Sequence, residues 1–438
     1  MKKNIKTVLS FGLIFIGITV GLLILMICVA KIPKKYIKQN MIESANYLLE
    51  KPMYYELIDG CRATNIDHYA DSITLNIVYN LSPNESLKSV LYSKYYGNNG
   101  NQETDNLLKT ATDDNCMGES QYLRYWHGEM IILKPLLLIL NIRQIYILNA
   151  IILILLTGVL SYKLCKNKMY AVMIGILVAL IATNAYVVPL SLEYISMYLV
   201  MLISSIFTLQ FIEKNKTKAI LPLFFIIGIF TCFFDFLTIE TVTLTVPLII
   251  LLVYKYKNNN LIDNKEIFKY IIKLIMVWGI GYVLMWITKW GISTIYLNED
   301  IKKVVLENAA QRIERTKVYT VGQSSELSNS VILRNVHCLF PLCFFEGKNI
   351  IVFLGAFLLF TFLFLTRKEK NIKLPLIIFT IGLIPYLRYL AINGHSLIHY
   401  FFTYRAQFAT ILAVIVGGYY MVDTKLLRRK NKCKKKKK

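Results

Sequence analysis

Apolar blocks of roughly 17–25 residues, most of them separated by clusters of lysine or arginine, recur along this chain. A helix rises 1.5 Å per residue, so about 20 apolar residues cross the ~30 Å hydrocarbon layer of a bilayer. Only a helix or a closed barrel can satisfy its own backbone hydrogen bonds in that layer. Ten blocks stand out, at about 7–30, 145–164, 170–187, 194–212, 219–235, 240–256, 270–288, 349–366, 374–390 and 402–421. The expected fold is an all-α polytopic membrane protein of about ten transmembrane helices. Hydrophobic residues form 55% of the chain and mean hydropathy is +0.49, above the level of an ordinary soluble protein.

The formal net charge of +23 invites a nucleic-acid partner, but the placement of the charge speaks against one. Lys2, Lys3 and Lys6 precede the first block, and Lys163, Lys166 and Lys168 separate the second from the third. Lys214, Lys216 and Lys218 follow the fourth, Lys255 to Lys273 the sixth, and Arg367, Lys368, Lys370 and Lys373 the eighth. Every one of these clusters falls on the same side of a ten-span bundle, as the positive-inside rule requires. The expectation is a cell-membrane protein with both termini in the cytoplasm, no nucleic-acid partner, and a basic tail apposed to anionic membrane lipids. The block at 7–30 is too long for the core of a signal peptide and reads as an anchor.

This count divides the chain into an anchor (1–30), an extracytoplasmic loop domain (31–144), helices two to seven (145–288), a second extracytoplasmic loop (289–348), helices eight to ten (349–421) and a basic cytoplasmic tail (422–438). The first loop is too long for a connection and must fold. Within it, Ile42 to Leu49 and Ile131 to Leu140 read as interfacial helices, the second interrupted at Lys134-Pro135, while the Asn-, Asp- and Gly-rich stretch Gly97 to Gly118 reads as loop. Of eight cysteines, Cys61 and Cys116 share this domain and are candidates for a disulfide. Cys338 and Cys343, spaced C-x4-C beside His337, are a second candidate, or simple packing.

Ionisable residues near a membrane are costly, which makes them the first functional candidates. Asp67 and Asp71, in NIDHYAD, are spaced i, i+4 and would share one helix face; they read as holders of a divalent cation, as a general base, or as a solvated helix face near a domain surface. No metal-ligand set is assigned. Glu193 follows the turn Val188-Pro189, and Asp235 and Glu240 bracket the bend between the fifth and sixth blocks. His127 in YWHGE, and His395, His399, Tyr400, Tyr404 and Arg405 at the mouth of the last two blocks, complete the candidates for substrate contact. Arg405 enters an apolar run, so it needs a carboxylate or phosphate partner. No Gly-rich phosphate loop, H-E-x-x-H or G-x-S-x-G occurs.

One span, then a long loop carrying NIDHYAD, a loop end YWHGEMIILKPL, the acidic turn VVPLSLEYISMYLV and a late IPYLRYLAINGHSLIHYFFTYRAQFATIL together resemble the GT-C superfamily of polyprenyl-phosphate-sugar-dependent glycosyltransferases. The resemblance is one of layout, shared with protein O-mannosyltransferases and lipid A aminoarabinose transferases. It implies transfer of a sugar from a polyprenyl-phosphate carrier to an extracytoplasmic glycan, lipid or protein. Asp67 or Asp71 would be the base, Glu193 a secondary acidic contact, and Arg405 a phosphate contact. A polysaccharide repeat-unit polymerase and a non-enzymatic transporter of lipid-linked glycan are the alternatives. Short loops and mid-span charges, which the transporter reading expects, are not what this chain carries.

Overall fold

The structure is a computed structural model describing residues 2–97, 100–258, 264–298, 310, 312–313, 330–345, 348–367 and 372–423. Most of the expected second loop and the basic tail past Asp423 lie outside the described residues.

The long helix α1 (Lys2–Ala30) leads into a small polar domain. That domain contains helices α2 (Lys38–Leu49), α3 (His68–Tyr79), α4 (Ser86–Tyr92), α5 (Glu103–Thr112) and α6 (Met130–Leu136). Strand β1 (Tyr54–Glu56) pairs antiparallel with β2 (Asn65–Asp67), setting Tyr54 opposite Asp67, and β3 (Lys94–Tyr95) pairs with β4 (Ser120–Gln121). Then come α7 (Ile142–Lys166), α8 (Tyr170–Ala182), α9 (Leu192–Glu213), α10 (Ile220–Phe234), α11 (Val242–Lys257) and α12 (Asn264–Leu297). After α13 (Val331–His337) follow α14 (Asn349–Leu365), α15 (Lys373–Gly382), α16 (Ile384–Ala391), α17 (Asn393–Ile398), α18 (Tyr400–Thr403) and α19 (Phe408–Met421).

Each of the ten apolar blocks coincides with helix. Among the described residues, seven helical stretches are long and apolar enough to cross a membrane. The three others are α8 with 13 residues, α11 with 16 and α14 with 17. At 1.5 Å per residue these reach about 20–26 Å, short of ~30 Å. Helix α8 stops early because the chain turns at Asn184, which takes the left-handed conformation at φ 49°.

Glycine sets the tightest helix crossing. A Cβ on Gly228 of α10 would lie 2.0 Å from the Trp278 carbonyl oxygen of α12, and one on Gly281 would lie 2.4 Å from that of Phe225. Without side chains at these points the two backbones come into direct contact, which is how helices pack where no hydrophobic effect drives them together.

The helix ends separate by chemistry. At one end Lys163 Nζ meets Glu213 Oε2 at 3.3 Å, and Lys257 Nζ donates to the carbonyls of Asn167 and Lys168 at 2.6 and 2.9 Å. Arg367 and Val422 form a β-bridge among their own neighbours. At the other end, the polar domain meets the start of α9, the turn after α10 and the α16–α18 segment.

Two expectations for the polar domain are corrected. The stretch Gly97 to Gly118 contains α5, because Leu107 and Ala111 bury against a shared core with α2 and α3. Lys134, expected at an interface, is fully buried and lies 3.4 Å from the carbonyls of Ala30 and Leu81. It closes the C-terminal end of α1, where carbonyls lack helical partners. Burial pulls its amine down to about 8.

Candidate functional site

A cavity of about 90 Å³ lies between the polar domain and the helix ends, lined by Asp67, Glu193, Tyr54, Tyr69, Tyr122, Phe236, His399 and Phe402 among others. Five separate stretches of the chain build it: the β1–α3 region, the β4 loop, the start of α9, the turn after α10 and the α17–α18 corner. Its cover is aromatic. Tyr54 and Tyr69 stack with centroids 5.9 Å apart, and both keep more than a third of their surface exposed.

Asp67 ends β2 and caps α3. Its side chain accepts the Ala70 N–H at 2.8 Å and is 4% exposed. The cap satisfies one of the orphan donors of the helix start. It also takes Asp67 off the helix proper, so the i, i+4 face expected for Asp67 and Asp71 does not form. Burial raises the Asp67 carboxyl to about 7, against the helix-start N–H bonds that lower it.

Asp71 does not line the cavity. It is fully buried and accepts the Leu192 N–H at 2.9 Å, the Ser191 hydroxyl at 3.3 Å and, in a very short bond, the Tyr146 hydroxyl. It thus serves the N-terminus of α9 and links α3, α7 and α9. Burial raises its carboxyl to about 8 even with these donors present. Glu193, the next residue of α9, faces the cavity instead, where it and Asp67 repel each other when both are charged.

Asp235 is buried behind the cavity wall. It accepts the N–H and hydroxyl of Thr238 at 2.9 and 3.0 Å, and burial, with Glu240 next in effect, raises it to about 7. Across the same turn Arg388 Nε donates to Glu240 Oε1 at 2.9 Å, and other guanidinium nitrogens donate to Ser396 Oγ and the Leu237 carbonyl. Held from both sides, the turn presents Phe236 to the cavity and places Leu237 at φ 62°.

His399 lines the cavity and stays neutral near pH 7. Burial first, then the Arg312, Arg388 and Arg124 charges, push it down to about 4. His127 stands one layer back. Its Nε2 lies 3.0 Å from the Tyr122 carbonyl and its ring packs on Tyr122 and Phe236, both cavity residues. Arg124 and Arg312 lie over the Tyr125 ring at 5.2 and 5.4 Å, making this flank of the site cationic.

Arg405 and Tyr400 sit away from the cavity. The Arg405 guanidinium is 1% exposed, donates to the carbonyls of Phe401 and Ala63 at 3.2 Å, and lies over the Tyr194 ring at 4.4 Å. Its partners are thus carbonyls and aromatic faces. Tyr400 accepts from Arg62 at 2.9 Å and carries Arg334 over its ring at 4.0 Å. Among the described residues no group of three His, Cys, Asp or Glu side chains is placed to hold a metal ion.

Sequence reasoning missed Tyr54, Tyr69, Tyr122 and Phe236 as cavity residues. Between α9 and α10 an apolar groove of about 440 Å³ runs from Phe211 to Phe234. Phe234 is two positions from Phe236 in the cavity wall.

No protein-family profile matches the chain, and no curated protein or solved structure matches it significantly.

Proposed function

We propose that this chain is a multi-pass membrane glycosyltransferase that moves a sugar from a polyprenyl-phosphate carrier to an extracytoplasmic glycan, lipid or protein acceptor. In this reading ten helices span the bilayer, both termini lie in the cytoplasm, and the acidic end of the bundle faces outward. The lysine-rich helix ends gathered on one side support that orientation. The observation that carries the reading is the Asp67–Glu193 pair in a cavity whose wall residue Phe236 lies two positions after Phe234 of an apolar groove between α9 and α10.

The chemistry follows from the residues. The acceptor hydroxyl gives its proton to the Asp67 carboxylate while its oxygen attacks the anomeric carbon. The bond from that carbon to the phosphate oxygen breaks, the phosphate leaves with the electron pair, and the anomeric centre inverts. A base whose pKa lies near 7 is matched to this task, and Asp67 is raised to about 7. Glu193 accepts a hydrogen bond from the acceptor sugar or hydroxyl. Neutral His399 and the cationic flank of Arg124 and Arg312 favour the leaving phosphate. The groove suits an isoprenoid chain lying laterally in the membrane.

The test uses membranes containing the protein, supplied with radiolabelled polyprenyl-phosphate sugars from host membranes. Asp67→Asn is expected to lower transfer by about 10²–10⁴-fold at normal expression. Full transfer by Asp67→Asn would sink the assignment.

A further inference from the structure

Cys61 meets Cys338 and Cys343, far from it in sequence, behind the strand that carries Asp67. Cys61, Cys338 and Cys343 pack together with Ala63, Leu339, Tyr400 and Tyr404. Cys61 is fully buried and Cys343 is 5% exposed. The Cys61 and Cys343 thiols lie within hydrogen-bonding reach of each other. Cys338 turns its thiol to the Arg334 carbonyl instead, at 3.6 Å. Cys116, the partner expected from the sequence, directs its thiol to Asp113 at 3.7 Å.

The meeting of these segments is built into the fold. The Tyr404 hydroxyl lies 3.0 Å from each of the carbonyls of Ala63 and Thr183 and accepts from Asn184 at 3.0 Å. Asn184 also donates to the Cys338 carbonyl at 3.3 Å, and the Phe340 N–H donates to the Ala182 carbonyl at 2.9 Å. Segments 61–64 and 338–343 are therefore both tied to the turn after α8.

We propose that Cys61 and Cys343 are joined by a disulfide in the mature protein, stapling the polar domain to the segment after α13. The proposal rests on the topology given above, which puts this end of the bundle in an extracytoplasmic, oxidising space. Formation proceeds by exchange with the disulfide of a thiol–disulfide oxidoreductase. One cysteine thiolate attacks that disulfide to give a mixed disulfide, and the second displaces the carrier, which leaves as a dithiol. The two cysteines lose two electrons, and the carrier disulfide gains them with the two protons. Burial and the neighbouring thiol push Cys343 up to about 12, so it is inert once packed. The exchange therefore belongs to assembly, before Tyr400 and Tyr404 close over the pair. The product fixes the turn Arg62–Thr64 and strand β2, which ends on Asp67.

The full-length protein, extracted from its own membranes into denaturant and N-ethylmaleimide, is digested without reductant and mapped by mass spectrometry. The expected result is a single linked species of the Cys61 and Cys343 peptides that separates on reduction, with Cys338 alkylated. Alkylation of both Cys61 and Cys343 before reduction overturns the proposal, as does a link from either to Cys338 or Cys116. Cys116, which is partly exposed, reports the topology separately through a membrane-impermeant maleimide applied to intact cells. Labelled Cys116 with unlinked Cys61 and Cys343 refutes the disulfide alone. Unlabelled Cys116 that the peptide map shows as an unlinked thiol refutes the orientation.

Discussion

The Asp71 carboxylate accepts the backbone N–H of Leu192 at 2.9 Å, so a side chain of the polar domain caps the first turn of α9, whose next residue is Glu193. A carboxyl oxygen at a helix start meets N–H groups that have no partner within the helix. The two aspartates of NIDHYAD thus divide their work: Asp67 opens to the cavity and Asp71 holds the helix that brings Glu193 to it.

Asp71→Ala is therefore expected to act on stability. It strands the Leu192 N–H and the hydroxyls of Ser191 and Tyr146 in a buried place, and each buried unsatisfied group costs about 1–3 kcal/mol. Thermal unfolding in detergent should show a loss of at least about 2 kcal/mol. Asp71→Asn keeps one carbonyl oxygen for Leu192 and should retain transfer in the molecules that fold. A folded Asp71→Asn protein that is catalytically dead would assign the chemistry to Asp71.

The crossing of α10 and α12 yields a paired test. Gly228→Leu forces a side chain into the Trp278 backbone, whereas a Cβ on Gly279, on the same helix as Trp278, meets nothing within 4 Å. Overpacking of this kind costs about 1–3 kcal/mol where neighbours can yield, and more where the obstacle is backbone. Gly228→Leu should abolish folded protein in fluorescence-detected size exclusion, and Gly279→Ala should leave the profile unchanged.

Protonation gives opposite signs for activity and stability. Asp67 and Asp235 are raised from 3.8 to about 7, and Asp71 from 3.8 to about 8. Between pH 4 and 8 these three carboxyls hold more protons in the folded protein than in the unfolded chain, and their contribution to stability falls as pH rises through that window, while His399, pushed down to about 4, contributes the opposite sign below about 6.5. Transfer needs Asp67 ionised, so its rate should climb with pH across about 7. Thermal midpoints at pH 5 and pH 8, set beside rates at the same values, check both signs. A midpoint that rises with pH contradicts the buried, protonated carboxyls.

The helices were legible because the bilayer demands one long apolar run per crossing, and that demand is local in sequence. The cavity was only partly legible. Asp67, Glu193 and His399 are ionisable residues in an apolar context and drew notice for that reason. Tyr54, Tyr122 and Phe236 reach the cavity only through the folding of separate segments, which no spacing encodes. Asp67 was misplaced on a helix face because an aspartate just before an apolar run is equally an N-cap, and here the cap prevailed. Arg405 was rightly judged to need partners, but backbone carbonyls and tyrosine rings supply them. Helix α5 was hidden by its polar composition, since only Leu107, Ala111 and a few small polar residues face its core.

The Arg388–Glu240 pair is the last point on which the site can be tested. The two side chains are 5% and 9% exposed and meet at 2.9 Å, and Arg388 also bonds the Leu237 carbonyl within the turn that carries Phe236. Removing one partner of a buried pair leaves an uncompensated charge, at a cost of about 3–5 kcal/mol, whereas replacing both with apolar groups of similar volume is often close to neutral. Glu240→Gln and Arg388→Met should each lower the thermal midpoint sharply, and Glu240→Leu/Arg388→Met should recover much of it. Recovery of the fold should not extend to transfer, because the Leu237 carbonyl loses its donor and Phe236 is no longer held against the cavity. A double variant both stable and fully active would show that the turn does not need Arg388 to hold the cavity wall.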